Sequence, residues 1–153
     1  MTIRMALVSC CGPKLAHAAP AKDLYCSPLF RFARNWAERN ADGWFILSAL
    51  HGVVLPDQII APYDQKMPAR PDLRLAWGQR VTDQVLWRTR QFFGGDAATP
   101  PGPPVTYIAL CGTDYTQHLE LTGEGLAHRM ERPLDGLMIG ERLQWFKRQL
   151  ETA

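Results

Sequence analysis

No apolar run in the 153 residues approaches the roughly 20 needed to cross a bilayer as a helix, which excludes a helical membrane span. The opening residues, Met1 to Val8, read as a strand and carry no signal-peptide cleavage pattern. Cysteine is scarce: there are four, and none stands in a C-x-x-C pair. Adjacent Cys10 and Cys11 make a poor disulfide framework, so reduced thiols in a cytoplasm are expected. A Walker loop, a G-x-G-x-x-G fingerprint and a G-x-S-x-G elbow are all missing. Their absence argues against P-loop nucleotide hydrolysis, dinucleotide binding by the usual fingerprint and the common esterase fold. Charge of one sign is missing too, because the formal net charge is only +2. That balance permits contact with nucleic acid without making it diagnostic.

What is present suits a single α/β domain over residues 1–153, since 46% hydrophobic and 21% charged residues are ordinary for a globular chain of this length. The spacing predicts a first strand at Ile3–Val8, ended by Ser9 to Lys14. A loop rich in alanine and proline, Leu15–Asp23, is expected to lie over the surface. Ser27-Pro28 is a helix start, with serine as cap and proline where its missing N–H costs nothing. Leu29, Phe30, Ala33, Trp36 and Ala37 then form one apolar stripe, closed by Asn40 to Gly43. Trp44–Leu47 is the second strand, so the β-α-β order implies parallel pairing.

After Gly52 an irregular segment carries three prolines and Tyr63-Asp64. Leu73, Trp77, Val81 and Val85 predict a long helix from Asp72 to about Phe92. Gly94–Pro104 is too rich in glycine and proline for an element and reads as a connector. Val105–Leu110 is the third strand, after which Thr113 is placed as the cap of a helix carrying Tyr115, His118 and Leu119. A short fourth strand falls at Leu126–Met130, and a last helix carries Ile139, Leu143, Phe146 and Leu150 on one stripe. The expected architecture is three-layer α/β/α around a short, mainly parallel sheet of about four strands.

Three strands end in small, polar or reactive residues: Ser9 to Lys14, Ser48 to Gly52, and Cys111 to Tyr115. In a parallel sheet such ends share one edge, where ligands of open α/β sheets bind. Lys14 suits a phosphate or carboxylate as a point charge, or equally a solvated loop. His51 has the side chain that titrates near neutrality and suits a general acid or base. Ser48 either bonds a ligand or caps the residues just after it, and Gly52 and Gly112 permit close backbone approach or a positive φ. Tyr25, Tyr63 and Tyr115 offer a stacking face or hydroxyl for a planar ligand, against the plainer reading of tyrosines at the rim of a core. Asp64 is a carboxylate in irregular backbone, open to a general-base role. Cys10 is a conceivable nucleophile, but inert burial is the better default for a cysteine of this setting. Without paired spacing, a zinc or iron–sulfur site built from Cys10, Cys11, Cys26, Cys111 and His51 is disfavoured, and no metal or other cofactor is expected.

Ser9-Cys10-x-x-x-Lys14-Leu15 and Ala19-Pro20-Ala21-Lys22-Asp23-Leu24-Tyr25-Cys26-Ser27-Pro28-Leu29-Phe30 resemble the opening of a family of short bacterial and phage proteins. The resemblance continues through Trp44–Gly52 and Ala61-Pro62-Tyr63-Asp64, and ends at Pro133-Leu134-x-Gly136-Leu137-x-Ile139-Gly140-x-Arg142-Leu143. Leu50 departs from it, standing where that family usually has lysine before His-Gly. More distantly, the pattern is similar to YaaA-type DNA-binding peroxide-stress proteins and to a domain of archaeal enzymes that modify a deazaguanine base in transfer RNA. Those relatives imply a uracil-DNA-glycosylase-like fold and work on nucleobases or nucleic acid. The positions that match are Lys14, Ser48, His51, Gly52, Tyr63 and Asp64.

Function is open to three expectations. The first is an enzyme acting on a nucleobase or N-glycosidic bond, with His51, Asp64 and Ser48 as catalytic residues. Ser9, Cys10, Lys14, Tyr25, Gly52, Tyr63, Gly112 and Tyr115 would then bind a nucleoside or nucleic acid. The second is a non-catalytic nucleic-acid-binding module using Arg31, Arg34, Arg39, Arg70, Arg74, Arg80, Arg88 and Arg90, provided that they share a face. The third is a thiol or metal protein, told apart from both by its metal content. No membrane partner is expected.

Overall fold

The computed structural model describes residues 2–9, 12–92, 104–122 and 128–151. The expected connector after Phe92 falls outside them apart from Pro104, as do Cys10, Cys11 and the first part of the expected fourth strand. The core is a mixed, mostly parallel five-stranded sheet in the order β4-β3-β1-β6-β7. Its strands are β1 (Ile3–Ser9), β3 (Gly43–Ser48), β4 (Gly52–Val54), β6 (Val105–Leu110) and β7 (Arg129–Glu131). β1 runs parallel to both neighbours, with Ser9 opposite Leu47 on one side and Val8 opposite Leu110 on the other. β7 is parallel to β6, and β4 alone runs antiparallel, to β3.

Alternation along the strands sends side chains to two cores. Ala6, Val8, Ile46, Ile108 and Leu110 meet α2 (Pro28–Asn40) and α5 (Ile139–Glu151) through Phe30, Trp36 and Phe146. Met5, Leu7, Phe45, Leu47 and Tyr107 meet α3 (Pro71–Phe92) through Trp77, Val81 and Val85. Helices therefore cover both faces, which is why β3 and β6 are apolar on nearly every residue.

The start of α2 follows its sequence signal: the Ser27 Oγ accepts from the Phe30 N–H at 3.1 Å, and Pro28 is the first helical residue. Elsewhere the structure corrects the expectations. β4 makes a fifth strand, because Gly52 turns the chain back onto β3 with a φ of 73°. The Leu15–Asp23 loop does not simply lie over the surface. Its residues form β2 (Ala19–Pro20), paired antiparallel with β5 (Ile59–Ile60), and enter α1 (Ala21–Leu24), with Ala21 and Leu24 wholly buried. Two segments unable to satisfy their own backbones thus satisfy each other, as in the Ala21 N–H donating to the Gln58 carbonyl at 2.8 Å.

Thr113 is the first residue of α4 (Thr113–Thr116), not its cap, and the helix ends before His118 and Leu119. Leu73 and Ile139 continue their stripes past the end of the core and are exposed, at 43% and 67%. Among the described residues no helix is long and apolar enough to cross a membrane.

Candidate functional site

The carboxyl ends of β3, β1 and β6 lie side by side, as parallel pairing requires. Chain connections diverge here, β1 leading to β3 on one side and β6 to β7 on the other, which makes this edge the switch point of the sheet.

Ser48 closes β3 and is fully buried. Its Oγ accepts from the N–H groups of Leu50 and His51, at 3.2 and 3.1 Å, and so shapes the turn that presents His51. The same oxygen lies 2.6 Å from the Tyr63 hydroxyl, which is 2.7 Å from the hydroxyl of buried Tyr25. The antiparallel bridge of Lys14 with Tyr25 sets the Lys14 Nζ 4.5 Å from the centre of the Tyr63 ring and 5.7 Å from that of Tyr25. The exposed His51 ring meets Tyr63 edge-on at 5.2 Å. Lys14, Tyr25, Ser48, His51 and Tyr63 are therefore brought together from four separate stretches of chain.

The other expected residues sit at varying distance from that cluster. Trp77 of α3 donates from its Nε1 to the Ser48 carbonyl at 3.2 Å and packs edge-on against Tyr115 at 5.6 Å, so Tyr115 joins indirectly. Asp64 follows Tyr63 and is exposed. Gly52 is buried against Gln84, whose Oε1 accepts from the Val53 N–H at 3.0 Å; a side chain at Gly52 would collide with it. Ser9 and Gly112 border a small notch of about 10 Å³ between β1 and β6, together with Phe30, Leu134 and Arg142. Cys10 lies outside the described residues.

Arg142 is the residue that sequence reasoning passed over. It stands on α5, donates from Nε to the Leu137 carbonyl at 2.9 Å, and borders the same notch as Gly112. Its place in the last matching motif was the available signal. No carboxylate among the described residues forms an ion pair with Arg142 or Lys14.

The eight arginines proposed for a nucleic-acid face do not share one. Arg31, Arg34 and Arg39 belong to α2 and the rest to α3 or its approach, on opposite sides of the sheet. Arg34 is paired with Asp23 and Glu38, Arg70 with Asp72, and Arg74 with Asp114. A groove of about 880 Å³ opens at the amino end of β3, away from the cluster; of the cations lining it, Lys22 and Arg34 are held by Asp57, Asp23 and Glu38, while Arg88 donates to Gln91 and stacks on Trp87. The two thiols among the described residues form no disulfide and are bonded to different stretches of backbone: the Cys111 Sγ donates to the Leu7 carbonyl at 3.1 Å and the Cys26 Sγ to the Leu24 carbonyl at 3.5 Å. Among the described residues no three His, Cys, Asp or Glu side chains group as a metal site.

The chain matches a family of unknown function, DUF6884, over residues 5–148, and belongs to it. No curated protein matches the chain.

Proposed function

We propose that this DUF6884 member binds a nucleobase-bearing ligand at the carboxyl ends of β1, β3 and β6 and hydrolyses its N-glycosidic bond, on a fold of the uracil-DNA-glycosylase sort. The observation that carries the reading is the convergence of an imidazole, an ammonium and two phenol rings on one edge of a parallel sheet. The half-buried Tyr63 ring suits a planar base, and the exposed His51 imidazole suits proton or water management. Asp64 is the carboxylate nearest in sequence that remains open to a water. Lys14 and Arg142 are the cations available to a ligand phosphate. Ser48, with its hydroxyl committed to the turn and to Tyr63, supports the site in this reading instead of attacking the substrate. The resemblance to YaaA-type proteins and to transfer-RNA deazaguanine enzymes points the same way. A duplex substrate would have to surrender its base from the stack.

The test is mass-spectrometric detection of bases released from nucleosides, single-stranded DNA, duplex DNA and transfer RNA. Release by the wild type that falls roughly 10²-fold or more in His51→Ala supports the reading, as expected for loss of a proton-transfer or water-positioning group. Salt-sensitive binding with no release from any substrate sinks it and leaves a binding module.

A further inference from the structure

We infer that Arg142 is a specificity-determining residue for a phosphate, so that the ligand of this edge is a free nucleoside monophosphate. The inference rests on the nucleobase reading for one end of that ligand and supplies the other. Arg142 lies in the first turn of α5, and its Nε donates to the carbonyl of Leu137, just before the helix, at 2.9 Å. Its backbone N–H donates to the Met138 carbonyl, also at 2.9 Å, so side chain and backbone are tied to the same bend of chain. The two Nη groups remain, with neither a hydrogen-bond acceptor nor a carboxylate among the described residues. Arg34, Arg70, Arg74 and Arg132, by contrast, each face a carboxylate within 4.0 Å. A half-buried guanidinium fixed in place without a counter-ion lacks part of the compensation that burial demands. Its planar fork of donors fits two oxygens of a phosphate.

The notch between β1 and β6 connects that fork to the aromatic cluster. Arg142, Gly112, Ser9 and Phe30 all border it. At about 10 Å³ it has room for no more than roughly one water, so an anion sits at its mouth. Phe30 packs against Tyr25 with ring centres 4.9 Å apart, and the Tyr25 hydroxyl is 2.7 Å from that of Tyr63. Neighbouring strands lie about 4.8 Å apart, so the ends of β6 and β3, two spacings from one another, are separated by roughly 10 Å. A single nucleotide bridges such a gap, with its phosphate at Arg142 and its base at Tyr63 and His51.

Charge decides between a free nucleotide and a nucleic-acid strand. A strand calls for a track of cations along successive phosphates. The arginines of α2 and α3 lie on opposite sides of the sheet, and Arg34, Arg70 and Arg74 are already paired. A phosphomonoester carries close to two negative charges. Lys14 and Arg142, neither of them paired with a carboxylate among the described residues, supply two positive ones.

Calorimetric binding to the full chain tests the inference, with nucleosides, nucleoside monophosphates, inorganic phosphate and a single-stranded oligonucleotide as probes. The monophosphates should bind roughly 10-fold or more tighter than the matching nucleosides. Arg142→Gln should remove that gap and leave nucleoside affinity unchanged, and Arg142→Lys, which keeps the charge without the fork, should restore only part of it. Gly112→Ala is a second probe of the same place. Its φ of −68° suits any residue, and the new methyl group would stand 3.6 Å from the Arg142 Nη1. It should narrow the gap without lowering the urea midpoint. Equal binding of nucleoside and monophosphate by the wild type overturns the inference and leaves the nucleobase reading standing. So does a gap that survives in folded Arg142→Gln, or an oligonucleotide that binds more tightly than any monophosphate. Inorganic phosphate bound by the wild type and lost in Arg142→Gln, with no gain from any base, upholds the phosphate site and sinks the nucleobase reading. No binding of any probe sinks both.

Discussion

Ser48 makes its contacts through two oxygens: the hydroxyl serves the Leu50 and His51 N–H groups and Tyr63, and the carbonyl serves Trp77. The sequence announces such a residue only as an interruption, a polar side chain where an apolar strand stops. Lys14, His51 and Tyr63 were readable by the same token, because none fits a helical or strand period. Their grouping was not, since it depends on hydrogen bonds between stretches far apart in the chain. Arg142 was hidden for the opposite reason: an arginine on an amphipathic helix has an ordinary explanation already. Gly52 permits a clean test at this scale. Its φ of 73° and its contact with Gln84 both oppose a side chain, so Gly52→Ala should cost about 1–3 kcal/mol in urea unfolding. Gln84→Ala removes the collision but also the acceptor of the Val53 N–H, so Gly52→Ala is best compared with Gly52 in a shared Gln84→Ala background, where only the cost of the positive φ should remain. No cost in that background would show that the positive φ matters little.

α2 was legible from end to end because local signals agree: a capping serine, proline at the first position, and buried Phe30, Ala33, Trp36 and Ala37 on one stripe. Ser27→Ala should therefore lower stability by about 1 kcal/mol, read from the urea midpoint, by orphaning the Phe30 N–H. β4 and the β2–β5 pair escaped notice because elements of two or three residues are too short to display a period. Their pairing is decided by a turn in one case and by a partner in a distant loop in the other. Leu73 and Ile139 mark the converse error, in which a stripe continues after the sheet beneath it has ended.

At the scale of the molecule, the β6–β7 edge depends on a proton. The Val105 N–H at the start of β6 donates to the Nδ1 of His128, just before β7, at 3.1 Å. An imidazolium has no lone pair to receive it. Burial, with a smaller contribution from Arg90, lowers the pKa of His128 below its usual value. The unfolded chain then binds a proton near pH 6.5 that the folded chain resists. The stabilisation is present above about pH 6.5 and is lost as the pH falls through the lowered folded-state value. The urea midpoint should drop between about pH 7 and about pH 5. His128→Asn, which offers an amide oxygen in place of the nitrogen, should flatten that drop, and an unchanged slope would remove His128 as its source.

The central place of β1 in the sheet also governs when the molecule can fold. One neighbour arrives early, Met5 meeting Gly43, but the other must wait for Val105 to reach Ile3. Closing that long loop makes docking of β6 the slow event in refolding. Until it happens, β1 presents a flat apolar strand with unpaired backbone groups along one side, a template for any other unfinished copy. Refolding yield should consequently depend on protein concentration during that interval, although the finished sheet hides β1 on both sides.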